Sequence, residues 1–259
     1  MSQHRLSFAL VQTRSSKETA DRFEELAAFL RARGLVELTG RPLPSYKQLA
    51  ASIRDGSSDV AWLPPVVYAW LAEGVTPIGS IVRAGTSAYS SALVVRDDSS
   101  IHGLADLAQV RAGWVDPWSA AGYVVPRLEL ARRGILPDKA FRTETFHDSH
   151  REAVLALGRG ACDVAGVYAG AWLDVPDVPV RVLATFGPIP TDVIAVRRNL
   201  APRDHEGVVE ALRATTADAE GRALLRAVFG GEELREDLAE GHTALRLAYE
   251  SGVAHGLFD

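Results

Sequence analysis

The chain has 259 residues, of which 47% are hydrophobic and 24% charged, and its formal net charge is -5. These proportions exclude a disordered or fibrous chain, and the length suits one large domain or two modest lobes. A mildly acidic chain without a Lys/Arg block is not built to grip nucleic acid, although a local pocket field can still favour a small anion.

Residues 6–11 form the first expected strand. This apolar run is too short for a secretion signal, and no stretch of eighteen apolar residues follows anywhere. Those features place the chain as given in the cytoplasm, or in the periplasm or outside the cell if a leader has been removed, with no direct membrane insertion. A helix over 18–33 follows, with Phe23, Leu26, Ala27 and Leu30 at helical spacing and Gly34 as its stop. Residues 35–38 give a second strand. Ser45 is the N-cap of a helix over 46–54, ended by Asp55-Gly56. A strand over 59–63 runs into a helix opened by Pro64-Pro65. The alternation resumes with strands at 91–96 and 110–115, a helix over 120–133, a strand at 142–146, a helix over 149–157 and a strand at 163–167. Strands at 180–186 and 193–196 precede a helical tail. Such alternation predicts mostly parallel sheets flanked by helices. Two α/β blocks divide the chain into lobe 1 (1–90 plus 195–259) and lobe 2 (91–194). Hinge strands near Tyr89 and Asp192 join them, with a ligand cleft between.

Three strand-to-helix turns could carry chemistry. In the first, Asp116-Pro117-Trp118-Ser119-Ala120-Ala121-Gly122, small residues open a helix whose free N–H groups favour an anion; equally, Ser119 can simply cap that helix. In the second, His147 and His150 invite a metal, but no third ligand is near, and a capping Ser149 accounts for the stretch as well. In the third, Asp192 either binds a cationic or hydroxyl group or closes a turn. Tyr46, Trp62, Tyr89 and Tyr168 sit close to strand ends, where ligands of open α/β sheets bind. The single cysteine, Cys162, leaves no intramolecular disulfide and reads as a buried apolar residue. Phosphate-loop, nucleophile-elbow and dinucleotide signatures do not occur, and no cofactor is implied.

In order along the chain, Asp59-Val60-Ala61-Trp62, Tyr89 before Leu93-Val94-Val95, Asp116-Pro117-Trp118-Ser119, Gly122 with Pro126, His150 before Ala153-Val154-Leu155, Asp163-Val164-Ala165 and Pro188-Ile189-Pro190-Thr191-Asp192 resemble the phosphonate/phosphite-binding family of ABC-transporter solute-binding proteins. The resemblance implies a two-lobed type-II periplasmic-binding-protein fold closing on one small anionic ligand, for uptake or sensing. It also implies a transporter permease as partner if the chain is exported. Tyr46, Trp62, Tyr89, Ser119, Ala120, Ala121, His150, Tyr168 and Asp192 then face the ligand. The family's Ser-Thr-Ser grip is reduced here to Ser119 with Ala120 and Ala121. The glutamate that accompanies Asp192 in members taking aminated phosphonates is replaced by Gly170. The same scaffold also hosts dehydratases, so a cytoplasmic dehydratase or lyase acting on a small organic acid is the alternative.

Overall fold

The computed structural model describes residues 5–11, 16–236, 238 and 240–258. Its strands are β1 (Arg5–Val11), β2 (Glu37–Leu43), β3 (Val60–Leu63), β4 (Val75–Val82), β5 (Ala88–Arg96), β6 (Val110–Trp114), β7 (Phe141–Phe146), β8 (Val164–Tyr168), β9 (Val180–Pro190), β10 (Val193–Arg197) and β11 (Glu233–Arg235). Its helices are α1 (Ser16–Ala32), α2 (Tyr46–Arg54), α3 (Pro65–Leu71), α4 (Val125–Arg132), α5 (Pro137–Ala140), α6 (His150–Gly158), α7 (Pro202–Ala217), α8 (Ala219–Phe229) and α9 (Glu240–Ala254). No helix among the described residues is long and apolar enough to cross a membrane. The chain divides into two compact units, residues 1–87 with 191–240 and residues 88–190 with 241–259.

The first unit holds a six-stranded sheet in the order β11-β4-β10-β3-β1-β2. Period-two alternation along β1 sends Leu6, Phe8 and Leu10 into one core with Phe23, Leu26 and Leu30 of α1 and Phe229 of α8. The Phe8 ring lies 4.9 Å from Phe23 and 5.8 Å from Phe229, centroid to centroid. Burying each such ring contributes about 2 kcal/mol. β1 runs parallel to β2 and β3, but β10 runs antiparallel to both β3 and β4. The sheet is therefore mixed rather than mostly parallel, because β10 enters at the end where β3 stops, Val193 opposite Leu63. β4, absent from the sequence reading, contains Pro77 and Gly79. A register shift on β10 between Ile194 and Ala195 lies opposite them and lets the proline into the ladder.

The second unit holds a five-stranded sheet in the order β7-β6-β8-β5-β9. β6 is parallel to β7 and β8, while β5 is antiparallel to β8 and β9, so this sheet is mixed too. Small residues pack α6 onto it: Ala153 and Ala156 lie with Ala92, Val94, Ala165 and Val167 in one buried cluster. Larger side chains are buried beside it, among them Trp114, fully buried against Tyr123 and Phe141, whose ring occupies the space a side chain on Gly166 would fill. The Trp114 indole donates to Glu144 Oε2 at 2.6 Å, and Arg127 pairs with the same carboxylate.

Arg127 explains the tail. It is buried, lies over the Tyr123 ring, and its Nε donates to the Leu257 carbonyl at 2.6 Å. Phe258 meets both Tyr123 and Tyr249. Residues 241–259 thus group with the second unit, where the sequence had assigned the whole tail to the first lobe.

Candidate functional site

Strand register brings several expected residues to one edge of the second unit's sheet. β6, β7 and β8 end there, β5 begins there with Ser91 opposite Tyr168, and β9 finishes there with Ile189 opposite Tyr89. Ser119 follows β6, His150 opens the helix after β7, Tyr168 closes β8, and a half-buried Tyr89 lies near the start of β5. This is the edge at which open α/β sheets bind ligands.

The helix expected over 120–133 begins as a wide, π-type turn, Ala120–Val124, before α4 takes over. Pro126 is the cause. It has no N–H to give to the Gly122 carbonyl, which accepts instead from Val115 N at 3.2 Å and so ties the helix start to the end of β6. Ser119 Oγ accepts from Gly122 N at 3.0 Å, leaving its own O–H to donate elsewhere. A side chain at 122 would lie 2.4 Å from Val115 and 2.7 Å from Ser119 Oγ, so only glycine closes this turn. Ser91, fully buried, donates to the Ala121 carbonyl at 2.6 Å and fixes that peptide. Ala120 and Ala121 are buried and contribute methyl groups where hydroxyls would add donors.

His150 shows its tautomer. Its Nδ1 accepts the Tyr168 backbone N–H at 3.1 Å, so the ring proton belongs on Nε2. Burial pushes its pKa down to about 4, so the ring is neutral at neutral pH and Nε2–H is a donor. The Tyr168 ring stands edge-on to the imidazole at 4.7 Å, and its hydroxyl donates to Asp174 at 2.9 Å. Ser149 caps α6 by accepting from Glu152 N at 3.1 Å.

His147 does not join His150. Its Nε2 is buried without a hydrogen-bond partner, near the space that a side chain on Gly113 would fill, which the Cys162 sulfur also borders. Burial pushes the Cys162 thiol up to about 11, in keeping with a buried apolar residue. No group of three or more metal-ligating residues occurs among the described residues.

Two carboxylates stand at the same edge, Asp116 from the first of the stretches singled out in the sequence and Asp148, which lies between His147 and His150. Asp116 Oδ1 accepts from Trp118 N at 2.7 Å, and its backbone carbonyl accepts from Ser119 N at 2.9 Å. Burial first, then the charge of Asp148, raises the Asp116 pKa above the ordinary aspartate value. Asp148 sits just before the Ser149 cap with a positive φ of 64°, and its N–H donates to the Val115 carbonyl at 2.8 Å. The two acids are far apart in sequence and meet only because β6 and β7 are neighbours.

In the first unit, Tyr46 opens α2 behind the Ser45 cap and is half-buried. Trp62 turns toward the core, with its ring edge-on to Phe229 at 5.2 Å and its indole N–H buried without a partner. Asp192 forms an ion pair with Arg83, which also donates to the Phe229 carbonyl. Arg83 had no signal in the sequence, being 109 residues from Asp192.

A family model described as the periplasmic substrate-binding protein of a phosphonate ABC transporter matches residues 8–236. The chain is 24% identical over 177 residues to the phosphate-import protein PhnD of Mycolicibacterium smegmatis, covering 63% of this chain and 54% of that protein. It is 25% identical over 167 residues to the phosphonates-binding periplasmic protein of Escherichia coli, covering 62% of this chain and 49% of that protein. The chain thus spans about half the length of the curated relatives it matches. Among solved structures, PhnD1 of Prochlorococcus marinus in complex with methylphosphonate superposes with a TM-score of 0.80 at 16% identity, covering 98% of each chain. A binding-protein component of an ABC phosphonate transporter from Pseudomonas aeruginosa gives 0.79 at 20% identity, covering 98% of this chain and 97% of that one. At these identities the likeness shows the fold, the type-II periplasmic-binding-protein arrangement of two sheets flanked by helices.

Proposed function

The chain belongs to the family of periplasmic substrate-binding proteins of phosphonate ABC transporters, and from that premise we propose that it captures one small oxyanion, phosphonate-like or closely related, for uptake through a permease or for sensing. The observation that carries the reading is the set of neutral donors at the edge of the second sheet. The Ser119 hydroxyl, the N–H groups that open the turn at Ala120, and the His150 Nε2–H all come from loops whose backbones are tied to strand ends. Donors held in place this way do not have to be ordered when a ligand arrives, so more of each hydrogen bond survives as affinity. The names of the relatives, which speak of phosphonate and phosphate, agree with such a donor set.

The dehydratase alternative would draw its acid/base groups from His150, Asp192 and Asp116, and the first two are already engaged. His150 Nδ1 is occupied by the Tyr168 N–H, and the Asp192 carboxylate is engaged by Arg83. Neither is set up to take a proton from a substrate.

The test is a thermal-shift and calorimetric panel of phosphonates, phosphite, phosphate, sulfonates and carboxylates on the purified chain. Ligand at about a hundredfold over its Kd adds about 2.7 kcal/mol of stability, which is readily seen. His150→Asn, which keeps an acceptor for the Tyr168 N–H but displaces the donor, is expected to weaken binding by roughly tenfold to a hundredfold. No stabilisation by any oxyanion would sink the reading.

A further inference from the structure

The edge that offers donors also carries acid and lacks base. Its segments, 88–91, 115–122, 147–150 and 167–170, contain no lysine or arginine. The donors identified there are uncharged: one hydroxyl, backbone N–H groups and a neutral imidazole. Beside them stand Asp116 and Asp148, brought together where β6 and β7 end: Trp114 lies opposite Phe146, and the Asp148 N–H donates at 2.8 Å to the carbonyl of Val115, the residue before Asp116. The cations nearest in sequence lie on or just after α6: Arg151 is 3.5 Å from Glu152 and mostly exposed, and Arg159, which follows the helix, is 3.8 Å from the same carboxylate and is itself mostly exposed, its charge reaching the His147 ring. His147 is the remaining titratable group nearby, with its ring turned toward Gly113 and Cys162.

We infer that this site takes its ligand as a monoanion and rejects the dianion. The inference rests on the oxyanion reading above. Neutral donors solvate one negative charge well. A second would sit near two carboxylates in a partly desolvated turn, where like charges repel far more strongly than in water. A monoanionic phosphonate also keeps one P–O–H, a donor that a carboxylate such as Asp116 can accept, whereas a dianion offers carboxylates only lone pairs. The selected form is therefore R–PO3H−; a sulfonate, which bears a single charge at every working pH but no O–H, meets the same neutral donors without the bond to the carboxylate and should bind more weakly.

The experiment is a calorimetric titration of the full chain with methylphosphonate and with methanesulfonate. Above the second ionisation of methylphosphonate its affinity should fall about tenfold per pH unit, because only the shrinking monoanion fraction binds. Methanesulfonate affinity should stay level over the same range. The variant D116N/D148N should flatten the methylphosphonate slope. In it, the amide oxygen introduced at position 116 still accepts the Trp118 N–H, and asparagine tolerates the positive φ at 148, so the turn is preserved. A methylphosphonate affinity that is level or rises with pH overturns the inference while leaving the oxyanion reading intact. A parallel decline for methanesulfonate also overturns it, since the titrating proton then belongs to the protein. If the sulfonate does not bind, the variant decides, and an unchanged slope is the overturning result. Failure of both ligands at every pH removes the oxyanion reading and this inference with it.

Discussion

Asp59 and Asp163 hold the same post in the two units. Each precedes a Val-Ala pair at the start of a strand, β3 or β8, and each gives its backbone N–H to the neighbouring strand, to Ser7 O at 3.0 Å or to Arg111 O at 2.8 Å. Each carboxylate takes the returning N–H, from Ser7 at 2.9 Å or Arg111 at 2.8 Å, and each is paired with an arginine, Arg197 or Arg111. The two units thus begin their matching strands with one device and finish them with different ones. The first ends in Trp62 and an Arg83–Asp192 ion pair over an aromatic core. The second ends in glycine-closed turns where α6 packs on the sheet through alanine and valine. Small residues let backbones approach, and approaching backbones fix where loop N–H groups point. Large rings give more apolar burial but leave the loops to their own side chains.

Three tests probe that contrast. The largest effect is expected in the aromatic core. Phe23→Ala should lower unfolding free energy by about 3–5 kcal/mol in chemical denaturation, because its buried ring fills space against Phe8 and over Gly40. A loss below about 1 kcal/mol would show that the first core collapses around the gap.

Next comes a pH effect confined to the second unit. The His150 pKa is about 4 in the folded chain against an ordinary 6.5. The unfolded chain then takes up a proton before the folded one does, so this residue's stabilising contribution is present above pH 6.5 and is lost as pH falls toward 4. At most about 3 kcal/mol is involved. Carboxylates also titrate in acid, so the quantity to measure is the difference between the parent and His150→Asn at about pH 7 and about pH 5. Equal slopes in the two proteins would contradict the buried, neutral imidazole.

The smallest effect on stability separates the two units most clearly. Gly122→Ala should cost about 1–3 kcal/mol by overpacking and should also weaken oxyanion binding, since the added carbon displaces Ser119. Gly74→Ala in the first unit meets nothing within 4 Å and should lie within about 0.5 kcal/mol of the parent. Matching costs at the two glycines would erase the distinction.

Much of this was legible in the residues because it is local. The Ser45 cap and the bounds of α2 follow from a few adjacent positions, and the capping alternatives considered for Ser119 and Ser149 are both present as hydrogen bonds. β4 was not legible, since Pro77 and Gly79 break the alternation and its partner β10 comes more than a hundred residues later. The same distance hides the Arg83 partner of Asp192. The tautomer of His150 depends on a backbone N–H 18 residues away, which no side-chain pattern encodes. The meeting of Asp116 with Asp148 needs the order of strands in the sheet, which alternation alone does not specify.

The central place of β10 in the first sheet has a consequence for synthesis. β3 and β4 are made early, yet the strand that joins them, between Val193 and Arg197, leaves the ribosome only after the whole segment 88–190. Until then the first sheet is split, β3 with its β10 edge open and β4, whose other neighbour β11 comes later still, with both edges open to other chains. The second unit waits longer still, because Arg127 closes on Leu257. Through the interval before β10 is made, the facing edges of β3 and β4 remain available for wrong pairing, and that late strand is what removes them.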